Sequence, residues 1–375
     1  MRLTPMKTVR RLFYVDITVS VMFVSLAFLS LFLFIDLVDA LSEMAKVRGS
    51  IGLATLASML DVPGHFYELA PIMVLIGTIY TLSRMSQSSE FTILRTSGLG
   101  PWRALRLLAT LGMAFAALTF LVGDYLAPYS ENKGIDVRAA MRGSLSHGRS
   151  GVWIKDRQST PDGDRSYSIK IGRSGPQGGM LEVNIFEFDD DSRLVRQITA
   201  ASGRIDNQGH WVLSEVNMTR WITSDASQTP RVTSESMESW QWTSGPSAEV
   251  VASALLPVST MSTVELWRYI GHLDANEQAI QAYEIQFWKR ALYPFACLVM
   301  VCLALPFAYL HARAGGISLK VFGGIMLGIA FVLLNSLAGH LGLLRNWTPW
   351  IAAAAPSVLF LLMSMGAFAW LVRYR

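Results

Sequence analysis

The chain has 375 residues, 51% of them apolar and only 16% charged, with a formal net charge of +4; an ordinary soluble protein carries roughly 25% charged residues. Residues 129–284 hold 20 of the 28 acids and 15 of the 32 bases, net −5, which leaves the other 219 residues at net +9. That split argues against a uniform soluble domain, against a disordered chain, and against a basic nucleic-acid face on the polar block.

A bilayer-crossing helix needs ~20 mostly apolar residues. Six stretches qualify, near residues 12–38, 62–83, 104–128, 291–311, 317–340 and 349–372. The first follows Arg2, Lys7, Arg10 and Arg11, but its apolar run is too long for a cleaved leader and no small-residue cleavage site follows it. It reads as an uncleaved first span. Basic residues in the short links set the orientation. Arg84, Arg95, Arg103 and Arg106 lie between spans two and three, Arg313 and Lys320 follow span four, and Arg373 and Arg375 end the chain. Both termini and these links are therefore expected in the cytoplasm, with the link from Asp39 to Leu60 and residues 129–284 on the other side. Lys289 and Arg290 break the pattern at the outer start of span four.

Several spans carry more than an anchor needs. Span two contains Pro63, His65, Glu68 and Pro71, and span five contains Gly323, Gly324, Gly328, Asn335 and His340. Gly324 and Gly328 form a small-xxx-small spacing, read either as packing inside this chain or as a separable helix contact. Glu68 is a functional candidate because a charge in lipid is costly; a partner role to His65 is the alternative. Cys297 and Cys302 point to different sides of one helix and cannot form a bridge.

The polar block reads as short strands at 151–157, 166–172, 181–188, 194–200, 210–216 and 240–243. Turn residues separate them, which predicts an antiparallel sandwich or barrel-like fold. Asp189-Asp190-Asp191 reads as a solvated hairpin tip, with a metal loop as the weaker alternative. Residues 261–288 read as helical, capped by Ser262 or Thr263 and feeding span four.

Known catalytic motifs are missing. There is no Gly-Lys pair for a P-loop, no G-x-S-x-G elbow and no H-E-x-x-H helix, and the six histidines are scattered. The chain reads as a non-enzyme. The informative cytoplasmic segment is Ser86–Gly98. Ser88 or Ser89 can cap a short helix there, Glu90 suits its first turn, and Phe91, Ile93 and Leu94 give it an apolar side. Ser97-Gly98 ends it and Gly100-Pro101 blocks continuation. Such a helix either lies on the membrane surface or docks into a cytoplasmic motor.

The segment Ser-Ser-Glu-Phe-Thr-Ile-Leu-Arg-Thr-Ser-Gly at 88–98 resembles the signature of the LptF/LptG family of lipopolysaccharide-export permeases. Phe34-Ile35-Asp36, Val62-Pro63 and Pro71 resemble its first two spans. Gly151-Val152-Trp153-Ile154-Lys155-Asp156 resembles the opening of the outer domain in the LptG branch, and Phe287-Trp288-Lys289-Arg290 with Pro294 resembles the lead into span four. The likeness covers nearly the whole chain.

The resemblance implies an α-helical inner-membrane protein of six spans. Residues 1–128 carry spans one to three, 129–284 an inserted β-jellyroll-like periplasmic domain with a helical lead-in, and 285–375 spans four to six. It implies pairing with an LptF-type permease on a dimer of LptB-type ATPases, with LptC and LptA as the bridge for lipopolysaccharide. This chain itself would bind no cofactor and no metal, with ATP and magnesium on the ATPase. Ser89, Glu90, Phe91, Ile93, Leu94 and Arg95 would form the coupling helix. Phe32, Ile35, Gly324, Gly328 and Asn335 would line lateral gates. Family members often have a lysine where this chain has Leu33, so Asp36, Lys46, Arg48, Lys289 and Arg290 are the cavity and phosphate candidates.

Exposing one CH₂ to water costs ~0.8 kcal/mol, so a glycolipid with several acyl chains needs an apolar path throughout. Two other classes stand beside the permease reading. One is a membrane-anchored periplasmic ligand-binding or sensor protein. The other is an ion-coupled transporter using Glu68 and His340, against which the lack of an inverted repeat counts.

Overall fold

A computed structural model describes residues 4–374 apart from 48–49, 142–150, 161–162, 175–178, 207–208, 223–230, 244, 248–249, 252–253, 255–257, 277–279 and 310–315. The described chain divides into two compact units. The first comprises residues 1–42, 55–133 and 281–375, and the second residues 43–54 and 134–280.

Six helices are long and apolar enough to cross a membrane. They belong to α1 (Thr4–Val47), α2 (Ile51–Gln87), the long helix begun by α4 (Pro101–Leu121), α7 (Gln281–Tyr309), α8 (Ile317–Leu344) and α9 (Pro349–Tyr374). The seven-residue α3 (Glu90–Thr96) joins α2 to α4. All six expected spans are present, and each extends past its apolar centre. At 1.5 Å per residue α1 is about 66 Å long, roughly twice the hydrocarbon thickness of a bilayer. Span three does not stop at residue 128. It passes through a π-turn (Val122–Leu126) into α5 (Ala127–Met141), so the polar composition begins within a continuous helix.

The first unit is built around α2, α4 and α7. Met73, Leu75, Ile79, Leu82, Leu108, Cys297, Met300 and Leu305 are buried together. Small residues bring the backbones close. A Cβ on Gly77 would lie 2.7 Å from the Val21 Cα, and one on Gly112 would lie 3.0 Å from the Leu298 Cα. Phe331 on α8 meets Phe360 on α9 edge-on, with centroids 5.3 Å apart.

The second unit is one antiparallel meander in strand order β1 (Val152–Thr160), β2 (Gly163–Ser174), β3 (Met180–Phe188), β4 (Leu194–Ile205), β5 (Trp211–Ile222) and β6 (Arg231–Trp242). Alternate residues face its core, among them Ile169, Ile171, Val183, Ile185, Ile198, Trp211 and Leu213. The alternation slips along one aligned row, Gly172, Glu182, Ala201, Glu215 and Glu238, where the ladders skip a pair on each strand. Glu182 (φ 57°) and Glu215 (φ 54°) are left-handed there. On β3 the buried residues next to the row are Met180 and Val183, and on β5 they are Leu213 and Val216, three apart instead of two. Such irregularities bend strands. The bend brings Tyr167 of β2 onto Trp242 of β6 (centroids 5.1 Å) and Arg196 of β4 over Trp240 of β6 (5.7 Å). Where a sandwich or barrel-like fold was expected, the described strands form a single bent antiparallel sheet.

Most strands run longer than their apolar runs. In β6 the sequence pattern marks only 240–243, because residues 231–239 are mostly Ser, Thr and Glu, and 232–236 are exposed on an edge strand. The aspartate triplet is a hairpin tip in which the Arg193 amide donates to Asp189 Oδ1 (2.8 Å) and Arg193 pairs with Asp191 (3.5 Å). The helix α6 (Thr263–Ala275) opens with a capping box between Ser262 and Glu265, which settles the cap on Ser262. It buries Leu266, Tyr269 and Leu273.

Candidate functional site

A seven-residue helix has no stability of its own. Packing and its ends hold α3. Phe91 is buried, with its ring 5.0 Å from Tyr309 of α7, edge-on, and 6.3 Å from Phe13 of α1. Arg95 lies over the other aromatic partner, its guanidinium carbon 5.7 Å from the Tyr309 centroid. At the C-terminus the Leu99 amide donates to Leu94 O (3.0 Å) and the Gly98 amide to Arg95 O (3.1 Å). Gly98 at φ +99° completes a Schellman stop at the expected Ser97-Gly98. The expected serine cap is not made. Ser89 occupies the cap position at φ 62° without a side-chain bond, and Ser88 donates to Arg84 O (3.2 Å) instead, closing α2. Glu90, Ile93 and Arg95 remain exposed, and Leu94 is half-buried. The knob is therefore rooted by one aromatic side chain and presents a mixed charged and apolar surface.

On α1, Asp36 Oδ2 meets His65 Nε2 of α2 at 2.8 Å, and Phe32 packs on the same imidazole at 4.9 Å between centroids. The partner of His65 is thus Asp36 and not Glu68, which is exposed and contributes its backbone carbonyl to the Tyr293 hydroxyl. Asp36 is engaged by this contact. Near the other end of α1, Arg84 binds Asp16 (2.7 Å) and Thr81 donates to Ser20 (2.7 Å). Between these two attachments Met22, Phe23, Leu26, Leu31, Phe34 and Ile35 are exposed, an apolar flank along α1.

Gly324 and Gly328 of α8 face α2. A Cβ on Gly324 would lie 2.6 Å from Ile79 Cδ1, and one on Gly328 would lie 2.9 Å from Ile72 Cγ2. The small-xxx-small pair is filled from within this chain. The free flank of α8 lies elsewhere, on Leu319, Phe322, Met326, Ile329, Val332, Leu333 and Leu337. Asn335 is half-buried on the same helix. His340 donates through Nδ1 to Ser336 O of its own helix (2.8 Å).

Of the basic candidates, the side chains of Lys46 and Arg48 lie outside the described residues. Lys289 packs its ammonium end on Gly339 of α8. Arg290 is buried, donates through Nη2 to Gly123 O (2.6 Å) and lies over the Tyr67 ring at 5.6 Å. Its Nη2 is used inside the protein. Sequence reasoning missed Tyr67, Gly123, Tyr293 and Tyr309. Their spacing announces nothing, because each acquires its role from a residue far away in the chain. The prolines at Pro71 and Pro294 were the only available signal, each lying four residues after one of the paired groups, Tyr67 and Arg290.

With this geometry in place, comparisons with known proteins are informative. The family described as "Lipopolysaccharide export system permease LptF/LptG" matches residues 11–373. The lipopolysaccharide export system permease protein LptG of Escherichia coli K12 is 24% identical over 334 residues, 88% of this chain and 89% of that protein. LptG of Haemophilus influenzae is 23% identical over 332 residues, again 88% of this chain and 89% of that protein.

Proposed function

The chain belongs to the LptF/LptG family of lipopolysaccharide export permeases, and we propose that it is an LptG-type subunit whose stroke is delivered through α3 by a separate ATPase. It is a multi-pass inner-membrane permease. The observation that carries the finer reading is the rooted knob. Phe91 and Tyr309 tie α3 to α1 and α7, while Glu90, Ile93 and Arg95 stay open for a partner. A push on α3 therefore reaches two spans through packed aromatic rings.

In this reading ATP and magnesium bind the LptB-type ATPase, and this chain carries no nucleotide or metal of its own. An LptF-type permease covers the free flanks of α1 and α8. Opening between the partners at Phe32, Ile35 and the exposed side of α8 admits acyl chains along an apolar path. Lys46, Arg48 and Lys289 meet the phosphates, and the bent β-sheet, on the periplasmic side, hands the lipid to LptC and LptA. Both termini and α3 are cytoplasmic, in line with the basic links.

The test is co-purification with the ATPase. Glu90→Ala and Phe91→Ala are expected to lower both ATPase retention and ATP-dependent lipopolysaccharide release, while Thr92→Ala leaves them in place. Unchanged retention and release in the first two variants would remove the coupling role from α3.

A further inference from the structure

Three helices of the first unit are interrupted at one level. Span three leaves α-helical geometry over Val122–Leu126. Pro71 in α2 has no amide proton for the carbonyl of Tyr67, and Pro294 in α7 has none for the carbonyl of Arg290. Prolines and π-turns are the usual causes of helix bending. The residues at the three interruptions touch one another. Arg290 Nη2 donates to Gly123 O at 2.6 Å, inside the π-turn. Its guanidinium carbon stands 5.6 Å from the Tyr67 centroid. Gly123 lies so close under the Tyr67 ring that a Cβ there would collide with it. Tyr67 and Tyr293 pack at 5.0 Å, and the Tyr293 hydroxyl donates to Glu68 O, tying α7 back to α2.

We infer that Arg290 is a positioning residue for lipid extraction: it clamps a shared hinge at which α2, span three and α7 bend together. Two features favour a clamp over ordinary packing. A buried guanidinium requires an acceptor, and the Gly123 carbonyl inside the π-turn takes the Nη2 proton. Lysine carries the same charge but lacks the planar fork that donates to a carbonyl while stacking on a ring. The clamp transmits bending among three helices that would otherwise flex independently. It acts on the path of the lipid through these helices and does not contact the ATPase. The inference rests on the reading of this chain as an ATP-driven extractor, and one arm of its test does not.

That arm places spin labels at the exposed positions Met113 and Tyr129, on either side of the π-turn, in the full chain with Cys297→Ala and Cys302→Ala. Arg290→Gln is expected to broaden the distance distribution relative to the parent, and Arg290→Lys to do so less. The second arm measures lipopolysaccharide released per ATP hydrolysed in the reconstituted complex. Arg290→Gln and Arg290→Lys are expected to lower that ratio by about five-fold or more, the scale of a coupling free energy, with ATPase retention unchanged. A narrow, unshifted distribution in both variants would overturn the hinge, and an unchanged ratio would overturn its part in extraction. If the parent complex shows no ATP-dependent release, the proposed function fails while the distance arm still decides the hinge. Where Arg290→Gln fails to insert, Arg290→Lys carries both comparisons.

Discussion

Helices α1 and α2 are both apolar enough to cross a bilayer, yet they do different work. In the most apolar stretch of α2, 72% of the residues are buried, against 11% in α1. Span two is the hub: it carries Gly77 against α1, Ile72 and Ile79 against α8, and Tyr67 against span three. Among the described residues, polar pairs tie span one to span two by Asp16–Arg84 with Ser20–Thr81 and by Asp36–His65, while side chains such as Phe23, Leu26 and Phe34 between them stay uncovered. Hydrophobicity identifies a span. It does not say whether that span is a hub or a wall, because lipid tails and leucines are equally apolar. What separates the two is the small, polar and proline residues that allow close backbones or spare carbonyls.

Substitutions that break or sharpen this contrast follow in order of size. The largest effect is expected in the β-unit, where Trp211 is fully buried and donates Nε1–H to Pro246 O (2.9 Å). Trp211→Ala should cost about 3–5 kcal/mol, read as early protease cleavage of the insert and as a lower first melting transition. Next comes the hub. Gly77→Val sets a side chain against the Val21 backbone and should cost about 1–3 kcal/mol, seen as a lower Tm in detergent. Phe91→Ala removes the root of α3 and should weaken ATPase retention about ten-fold, or ~1.4 kcal/mol.

A smaller effect concerns pH. Burial, and after it the Glu187 carboxylate, raise the Tyr167 phenol above its usual value. A raised phenol favours the neutral form in the folded state. Its contribution to stability is therefore complete below the unfolded value near 10 and is lost as pH rises through the folded value. The insert should lose stability above about pH 10, and Tyr167→Phe should flatten that slope in pH-dependent melts. The smallest effect belongs to the wall. Phe23→Ala on the uncovered flank of α1 should move the Tm of the isolated chain by no more than about 0.5 kcal/mol equivalent, while reducing its pairing with the partner permease.

Much of this was legible in the sequence. Six spans, the β insert and the short helix at 90–96 followed from hydropathy, turn residues and the Gly98 stop. The split of charge could not mark the end of span three, which carries its helix into polar residues as far as Met141. The serine cap of α3 was misread because Ser88 serves the preceding helix. A charge in a span announces a partner, but the partner lies in another helix: His65, one alternative for Glu68, pairs with Asp36, and Arg290, a phosphate candidate, donates to Gly123 O. Gly324 and Gly328 were recognised as a close-contact surface, with packing inside the chain as one of two readings, and α2 occupies it.

The most direct test of the whole account is lipopolysaccharide release from proteoliposomes that hold this chain and its partner permease, with an LptC–LptA acceptor outside. The account predicts release only when the ATPase subunit and ATP are both present, and none from an imposed proton gradient. Release without the ATPase, or driven by the gradient alone, would contradict it.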